Sequence, residues 1–242
     1  MRHQPYLSLV EQAISSERLR PYRRSPQEAD VAVHARYLWN VALSEALYPP
    51  LQALEVALRN GIHAAATGAF GSATWFHQRL SDQVPVLQPD QRAQVARTTI
   101  DLTRRLAPQG RVATPGDVVA SLPFGFWTTL FSSRYEGPNL LWPRLLATVF
   151  PFIPRRMRTR RTVAGRLDQI RKLRNRAFHH EPIWNRRDLA GEHATIVETV
   201  GWLSPPLLET TGLYDRFPTI HRLGPAPYAA MIATLVRTRP SS

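Results

Sequence analysis

The segment from Leu51 to Ala65 reads LQALEVALRNGIHAA, and its apolar residues recur at steps of three and four, which is the spacing of one stripe of an α-helix. The stripe consists of Leu51, Leu54, Leu58, Ile62 and Ala65. The same spacing recurs in Val163, Leu167, Ile170 and Ala177, and again in Val31, Ala35, Leu38 and Ala42. No Asn-Gly or Asp-Gly turn between alternating apolar flanks indicates a β-hairpin. The sequence therefore predicts an all-α fold.

The 21 prolines fit this fold, because proline at the first helical position loses only an N–H that has no partner within the helix. Ser25-Pro26-Gln27-Glu28 and Thr114-Pro115-Gly116-Asp117 each combine a capping hydroxyl, a proline and an acid three residues after the cap. Ser204-Pro205, and Asn185 with Asp188, predict two further helix starts. The predicted helices span 5–18, 26–46, 50–67, 86–106, 115–121, 124–134, 138–149, 157–180, 186–203 and 226–237.

We expect one main helical domain at residues 26–203, preceded by an N-terminal helix or extension at 1–25. A C-terminal helical appendage follows at 204–242. Its prolines favour short helical turns packed on the main domain over an independent domain. These prolines are Pro205, Pro206, Pro218, Pro225, Pro227 and Pro240.

The chain is strongly basic, with a formal net charge of +13, and the charge is concentrated in what we call the basic segment, residues 155–176. This segment holds ten basic residues and one acid, Asp168, and so carries nine of the thirteen net charges. A solvated helix face would also explain a charge run, but clustering of this degree favours a polyanion such as RNA. The predicted RNA-binding residues are Arg155, Arg156, Arg158, Arg160, Arg161, Arg166, Arg171, Lys172 and Arg176, with Trp184 as a stacking candidate.

Several function classes are excluded or disfavoured by what the sequence lacks. The absence of cysteine excludes disulfides, Cys-based zinc sites and cysteine nucleophiles. No Walker or dinucleotide glycine pattern occurs, and the contiguous His179, His180 and Glu181 do not converge on a metal, so we expect no cofactor and no metal site. The uncharged run at 118–133 is too short to span a membrane. With no secretory signal near Met1, we expect a cytoplasmic protein.

Three polar side chains are predicted to meet near the end of the helix at 157–180. Arg174 continues the apolar stripe of Val163, Leu167 and Ile170, where a guanidinium needs a carboxylate, a polar network or a bound phosphate as its partner. Asn175 and His179 are four residues apart and therefore share a neighbouring face. Pro182 disfavours helical geometry at Glu181, so the helix should end around residues 179–181.

The run Arg174-Asn175-Arg176-Ala177-Phe178-His179, which we call the signature segment, resembles the Arg-polar-x-x-x-His motif of the HEPN superfamily, in particular its Abi-like (abortive infection) branch. His180-Glu181-Pro182-Ile183-Trp184 is similar to the continuation of the motif in that branch, and Glu55–Asn60, Gly71–Trp75 and Pro123–Trp127 add to the resemblance. It implies an HEPN-like antiparallel helical bundle with extra peripheral helices that dimerises and places two signature segments across one cleft. It also implies a metal-independent endoribonuclease of phage defence or of toxin type, with a possible antitoxin or phage-derived trigger.

The local chemistry suits such a reaction. His179 would remove the proton of the 2′-OH or protonate the 5′-oxygen, Arg174 would neutralise charge on the phosphate, and Asn175 would orient either group. His180 is a supporting candidate. Glu55, Arg59 and Asn60 form a second supporting set: they could reach the same cleft, with Glu55 as the partner of Arg174, or Glu55 and Arg59 could form an ordinary helical ion pair. The alternative function is a non-catalytic RNA-binding or protein-interaction module.

Overall fold

A computed structural model describes residues 4–80 and 85–238, and within these ranges the chain is all-α, with two isolated β-bridges and no β-strand. Its helices are α1 (Gln4–Ile14), α2 (Ser16–Leu19), α3 (Asp30–Phe70), α4 (Pro89–Leu106), α5 (Pro115–Ser121), α6 (Phe124–Thr129), α7 (Leu146–Val149), α8 (Arg160–Phe178), α9 (Leu189–Leu203), α10 (Pro205–Gly212), α11 (Phe217–Leu223) and α12 (Ala226–Thr238). The prediction of an all-α fold is confirmed for the described residues. None of the helices among them has the length and apolar character needed to cross a bilayer.

The described residues fall into two compact units. Unit 1 contains residues 4–49, 173–194 and 214–238, and unit 2 contains 50–80, 85–172 and 195–213. Helices α3 and α8 each contribute residues to both units. The predicted domains are continuous stretches of the chain, whereas each compact unit consists of several separate segments. The predicted domain boundaries therefore stay a prediction.

The longest helix departs from the sequence prediction. We expected helices at 26–46 and 50–67, but α3 is continuous through Pro49 and Pro50 and begins only at Asp30. Ser25-Pro26 forms a turn instead of a helix start, and the Glu28 N–H donates to the Ser25 carbonyl at 3.2 Å. The carboxylate of Glu28 is used elsewhere, since it accepts the Arg24 N–H at 2.7 Å and pairs with Arg36. The Glu28 carboxylate therefore binds Arg24 and Arg36 instead of completing a capping box at Ser25.

Two other predicted starts are confirmed and one is shifted. At α5, Thr114 accepts the Asp117 N–H at 3.2 Å and the Asp117 carboxylate accepts the Thr114 N–H at 2.9 Å, which completes the capping box. Ser204 caps α10 by accepting the Leu207 N–H at 3.3 Å. Helix α9 starts later than predicted, because Asp188 rather than Asn185 accepts its first N–H groups, including that of Gly191 at 3.0 Å.

The predicted helix at 138–149 is mostly wrong, because only Leu146–Val149 is helical. Pro143 interrupts this stretch, and burial of an aromatic side chain determines its path instead. The Trp142 ring stacks on Phe131 with centroids 4.2 Å apart, and its indole N–H donates to the Leu130 carbonyl at 2.6 Å. Burial of a large ring has overridden a weak helical pattern.

The cores follow the apolar stripes with one exception. In unit 2 the stripe from Leu51 to Ala65 is buried throughout, as the sequence predicts, and Trp75, Trp127 and Trp142 are fully buried. In unit 1, Ala35 packs with Leu7, Ile232 and Val236. Leu38, which the third predicted stripe assigns to the core, is 38% exposed. The buried face of α3 in this unit instead follows Val33, Arg36 and Asn40.

A hydrogen bond that His63 accepts within unit 2 favours the neutral form of its ring. The indole N–H of the fully buried Trp75 donates to its Nδ1 at 3.1 Å, so this nitrogen must keep a lone pair. Burial lowers the pKa of His63 below its ordinary value. Burial also lowers the pKa of His193, although its contact with Asp215 acts in the opposite direction.

We expect the stability of the protein to fall as the pH decreases from about 7.5 to about 5.5. Unfolded histidine takes up a proton near pH 6.5, whereas folded His63 and His193 take it up only at lower pH, so acid favours the unfolded state in this window. His63→Gln, whose amide oxygen can accept the indole N–H, should flatten this dependence in thermal unfolding. His77→Gln, a change at an exposed histidine of the same unit, serves as the control. An unchanged pH profile in His63→Gln would contradict the assignment.

Candidate functional site at the end of helix α8

Helix α8 ends in a hydrogen-bonding pattern that places both histidines just beyond its last residue. The His180 N–H donates to the Ala177 carbonyl at 3.2 Å, and the Glu181 N–H donates to the Arg176 carbonyl at 2.8 Å. These two bonds are those of a Schellman cap, in which the residue after the C-cap is left-handed. His180 holds that position with φ of 59°, although it is not glycine. The helix ends at Phe178, slightly before the predicted 179–181, and Pro182 follows as expected.

His179 continues the helical path by one residue. Its N–H donates to the Asn175 carbonyl at 2.9 Å, so His179 lies one turn beyond Asn175 on the same side of the helix. His179 is exposed, and Asn175 is half-buried. The imidazole is therefore open to solvent beside an amide, as the four-residue spacing predicts.

The guanidinium of Arg174 also lies at this end of α8. Its central carbon is 4.4 Å from the ring centroid of Phe178, the residue directly before His179. Arg174 is half-buried, and the stripe that it continues is buried at Val163, Leu167 and Ile170. Phe178 in turn contacts Tyr48 of α3, with ring centroids 5.9 Å apart. All the residues of the signature segment belong to unit 1.

Cations hold the backbone that leaves α8. Arg18 donates to the His180 carbonyl, and Arg176 donates to the Pro182 carbonyl at 3.1 Å. The Nε of Arg176 also lies 3.5 Å from a carboxylate oxygen of Glu181. These two carbonyls lie beyond the helix, where no intrahelical N–H can reach them, so the arginines supply the donors that they need. Arg176 therefore has a structural task at this turn, and its predicted contact with RNA stays a prediction.

Two residues that the sequence analysis missed anchor the same segment. The side-chain oxygen of the buried Asn40 accepts the N–H groups of Ile183 and Trp184 at 2.7 and 3.1 Å. The buried Arg36 donates to the Tyr22 carbonyl at 3.0 Å and pairs with Glu28. The sequence did carry a signal for these two residues. Positions 33, 36, 40, 43 and 47 continue the spacing of the Leu51 stripe, so Arg36 and Asn40 occupy positions that face the core.

Trp184 is held by contacts within unit 1. Its ring stacks on Tyr22 with centroids 6.2 Å apart, and the guanidinium carbons of Arg24 and Arg36 lie 5.3 and 5.5 Å from its centroid. The backbone hydrogen bond to the Arg24 N–H and the Arg36 guanidinium lower the pKa of Glu28, which keeps the partner of Arg36 ionised. These contacts account for the place of Trp184 in the fold, and stacking on RNA stays a prediction for it.

Residues 155–172 of the basic segment belong to unit 2. Their basic side chains differ in exposure and in whether they pair with a carboxylate. Arg160 pairs with Glu136 at 2.7 Å, and Arg166 pairs with Glu198 and lies over the Trp202 ring at 4.1 Å. Asp168 contacts both Arg171 and Lys172 at 2.7 Å, and these hydrogen bonds lower the pKa of Asp168. Four arginines of the segment are exposed: Arg155, Arg156, Arg158 and Arg161.

The supporting residues of α3 belong to unit 2. Arg59 donates to the Ala120 carbonyl at 3.0 Å, Asn60 is exposed and Glu55 is half-buried. Glu55 belongs to unit 2 and Arg174 to unit 1, and both roles predicted for Glu55 stay predictions. In the described parts of the chain, no three His, Asp or Glu side chains come together in a way that could hold a metal ion.

Comparisons of the chain with family models, with curated proteins and with solved structures find no match. The HEPN resemblance therefore stays a prediction that rests on the residues themselves.

The left-handed backbone at His180 makes a prediction about stability. His180→Gly should raise the free energy of unfolding by about 0.5–1 kcal/mol, since glycine adopts positive φ without the Cβ clash that an L side chain meets. Chemical denaturation measures the change. His77→Gly is the control and should instead be destabilising, because the exposed His77 has a negative φ, so the substitution adds freedom to the unfolded chain and also removes a ring contact with Phe76. A loss of stability in His180→Gly would contradict the assigned cap.

Proposed function

We propose that this chain is a metal-independent endoribonuclease of the HEPN type that acts as an abortive-infection or toxin effector. The proposal includes an HEPN-like antiparallel bundle with peripheral helices. The observation that carries it is the place of the Arg174 guanidinium, 4.4 Å from the ring of Phe178 and so beside the residue that precedes the exposed His179. Arg174 and the exposed His179 thus belong to the same helix end.

The proposed reaction uses the nucleophile that RNA itself carries. A histidine takes the proton of a 2′-OH, the 2′-oxygen attacks the adjacent phosphorus, and the bond from phosphorus to the 5′-oxygen breaks. A proton delivered to that 5′-oxygen completes the step and leaves a 2′,3′-cyclic phosphate and a 5′-OH. His179 fills one of these two acid–base roles, and His179 of a second copy across the shared cleft fills the other.

Arg174 supplies the electrostatic part of the proposed mechanism. Negative charge builds up on the phosphoryl oxygens as the 2′-oxygen attacks, and a guanidinium can donate two parallel hydrogen bonds to them. Phe178 supports this use, because a cation held over an aromatic ring is kept in place without a competing hydrogen bond from that ring. Asn175, one turn below His179, is proposed to orient the imidazole or the phosphate.

The exposed part of the basic segment supports RNA as the substrate. Arg155, Arg156, Arg158 and Arg161 are exposed and can contact backbone phosphates. Arg160 and Arg166, whose side chains are only 14% and 15% exposed, are engaged with carboxylates of unit 2 and would contribute less.

A protein-interaction module is the second candidate, and exposed apolar residues favour it. Leu38 and Val41 of α3 are 38% and 47% exposed on one face of the helix. A partner such as an antitoxin or a phage-derived trigger could bind there, and binding without turnover would then be the whole function.

We expect the purified protein to cleave single-stranded RNA in the presence of EDTA and to leave DNA of matched sequence intact, because DNA lacks the attacking hydroxyl. His179→Ala should reduce the cleavage rate about 10²–10⁴-fold, and Arg174→Ala about 10²–10³-fold, with RNA binding retained in His179→Ala. A gel assay with end-labelled RNA measures both the rate and the cyclic phosphate product.

The matched controls are His77→Ala and Arg187→Ala, which remove an exposed histidine and an exposed arginine outside the signature segment and should leave the rate unchanged. RNA binding without cleavage under any condition would favour the non-catalytic module. Cleavage that survives in His179→Ala would reject the assigned role of that histidine.

We also expect the active protein to be a homodimer, because the proposed cleft needs two copies of the signature segment. Light scattering should report twice the mass of the chain. Adding an excess of His179→Ala protein to wild-type protein tests the shared cleft: mixed dimers keep only one of the two His179 side chains, so the activity of the wild-type protein should fall. A strict monomer that still cleaves RNA would contradict this arrangement.

A further inference from the structure

Two aromatic rings remain exposed beside the signature segment. Tyr48 is 49% exposed and Phe178 is 38% exposed, and their ring centroids lie 5.9 Å apart with a tilt of 31° between the planes. We call these two residues the aromatic pair. The Arg174 guanidinium lies 4.4 Å from the Phe178 ring, and His179 follows Phe178 directly. The aromatic pair therefore lies beside Arg174 and directly before His179 in the chain, the two residues that are proposed to act on a phosphate.

The surroundings of the aromatic pair differ from those of Trp184. Trp184 is half-buried against Tyr22, Arg24 and Arg36, whereas Tyr48 and Phe178 are both exposed. Large apolar surface left in water is unfavourable by about 25 cal/mol per Å², so an exposed pair of rings on a basic protein indicates a ligand with a flat apolar face.

We propose that the aromatic pair is a stacking platform for an unpaired base of single-stranded RNA next to the phosphate that Arg174 contacts. The inference rests on the proposed function and deepens it, because it assigns the substrate class as unpaired RNA. Every nucleobase has a π-face, and stacking on Tyr or Phe beside an arginine is the usual way in which proteins hold unpaired bases. Bases of a duplex are stacked on each other and cannot reach the rings.

Charge favours RNA as the occupant of the aromatic pair. Glu45, one turn before Tyr48 on α3, is paired with Arg216. Arg174 adds a positive charge directly at Phe178. A phosphate next to the stacked base would therefore lie near the Arg174 cation, while the negative charge of Glu45 is balanced by Arg216.

The test measures binding separately from cleavage. The probe is a short single-stranded oligoribonucleotide with 2′-O-methyl riboses, which cannot be cleaved through the 2′-oxygen, and it is titrated at several salt concentrations. Tyr48→Ala and Phe178→Ala should each weaken its binding about five- to hundredfold, whereas Tyr48→Phe and Phe178→Tyr should bind it normally. The slope of log Kd against log salt should not change in the ring variants, because stacking releases no counterions.

Two controls separate stacking from loss of structure. Tyr214→Ala removes a tyrosine of the same unit with 51% exposure and should leave binding unchanged. An abasic oligonucleotide of equal length should bind the wild-type protein and the ring variants equally weakly, because only the base contacts the rings. Duplex RNA should likewise bind all of them alike.

Three outcomes would overturn the platform. The first is normal affinity of both alanine variants for the single-stranded probe, and the second is an equal loss of affinity for the abasic strand. The third is dissociation of a dimer in both variants with RNA affinity unchanged, which would assign the pair to a contact between copies. In each of these cases cleavage by the wild-type protein still decides the proposed function. Failure of the wild-type protein to bind any RNA would reject both proposals.

Discussion

One side-chain amide determines where the chain goes after helix α8. The oxygen of Asn40, buried in unit 1, accepts the backbone N–H groups of Ile183 and Trp184. A buried N–H without an acceptor costs about 1–3 kcal/mol, so two of them strongly favour the path in which both are satisfied. Together with the Schellman cap at His180, this contact holds the end of α8 and the segment that follows it. The position of His179 depends on that support.

Arginine has two different tasks in this protein. Arg36, Arg160 and Arg166 are mostly buried side chains that pair with carboxylates and hold segments of their own units together. Arg155, Arg156 and Arg161 are exposed and give the protein its cationic surface. The geometry explains why arginine rather than lysine suits both tasks: its planar group can pair with a carboxylate, bind a carbonyl and lie over a ring at the same time, as Arg166 does with Glu198, Thr195 and Trp202.

The proposed function and the proposed platform use the same feature of the fold, a helix end that is ordered but open. The cap at α8 is made by backbone N–H groups, and of the signature segment only the Arg176 side chain is used to hold the turn that follows. Asn175, Phe178 and His179 are thereby left at the surface or near it. A rigid element that presents polar and aromatic side chains to solvent is how a protein holds reactive groups in a fixed geometry.

The sequence by itself determined the helical class, the buried stripe from Leu51 to Ala65, the caps at Thr114 and Ser204 and the end of α8 near Pro182, because these features depend on local spacing and local hydrogen bonds. Only the tertiary structure decided that α3 runs through Pro49 and Pro50, that Glu28 pairs with Arg36 instead of capping a helix, and that residues 138–145 leave the helical path around Trp142. It also decided which arginines are exposed and which ring lies beside Arg174. Those outcomes depend on residues far apart in the chain, whose mutual burial and charge pairing outweigh the local preferences that a sequence pattern records.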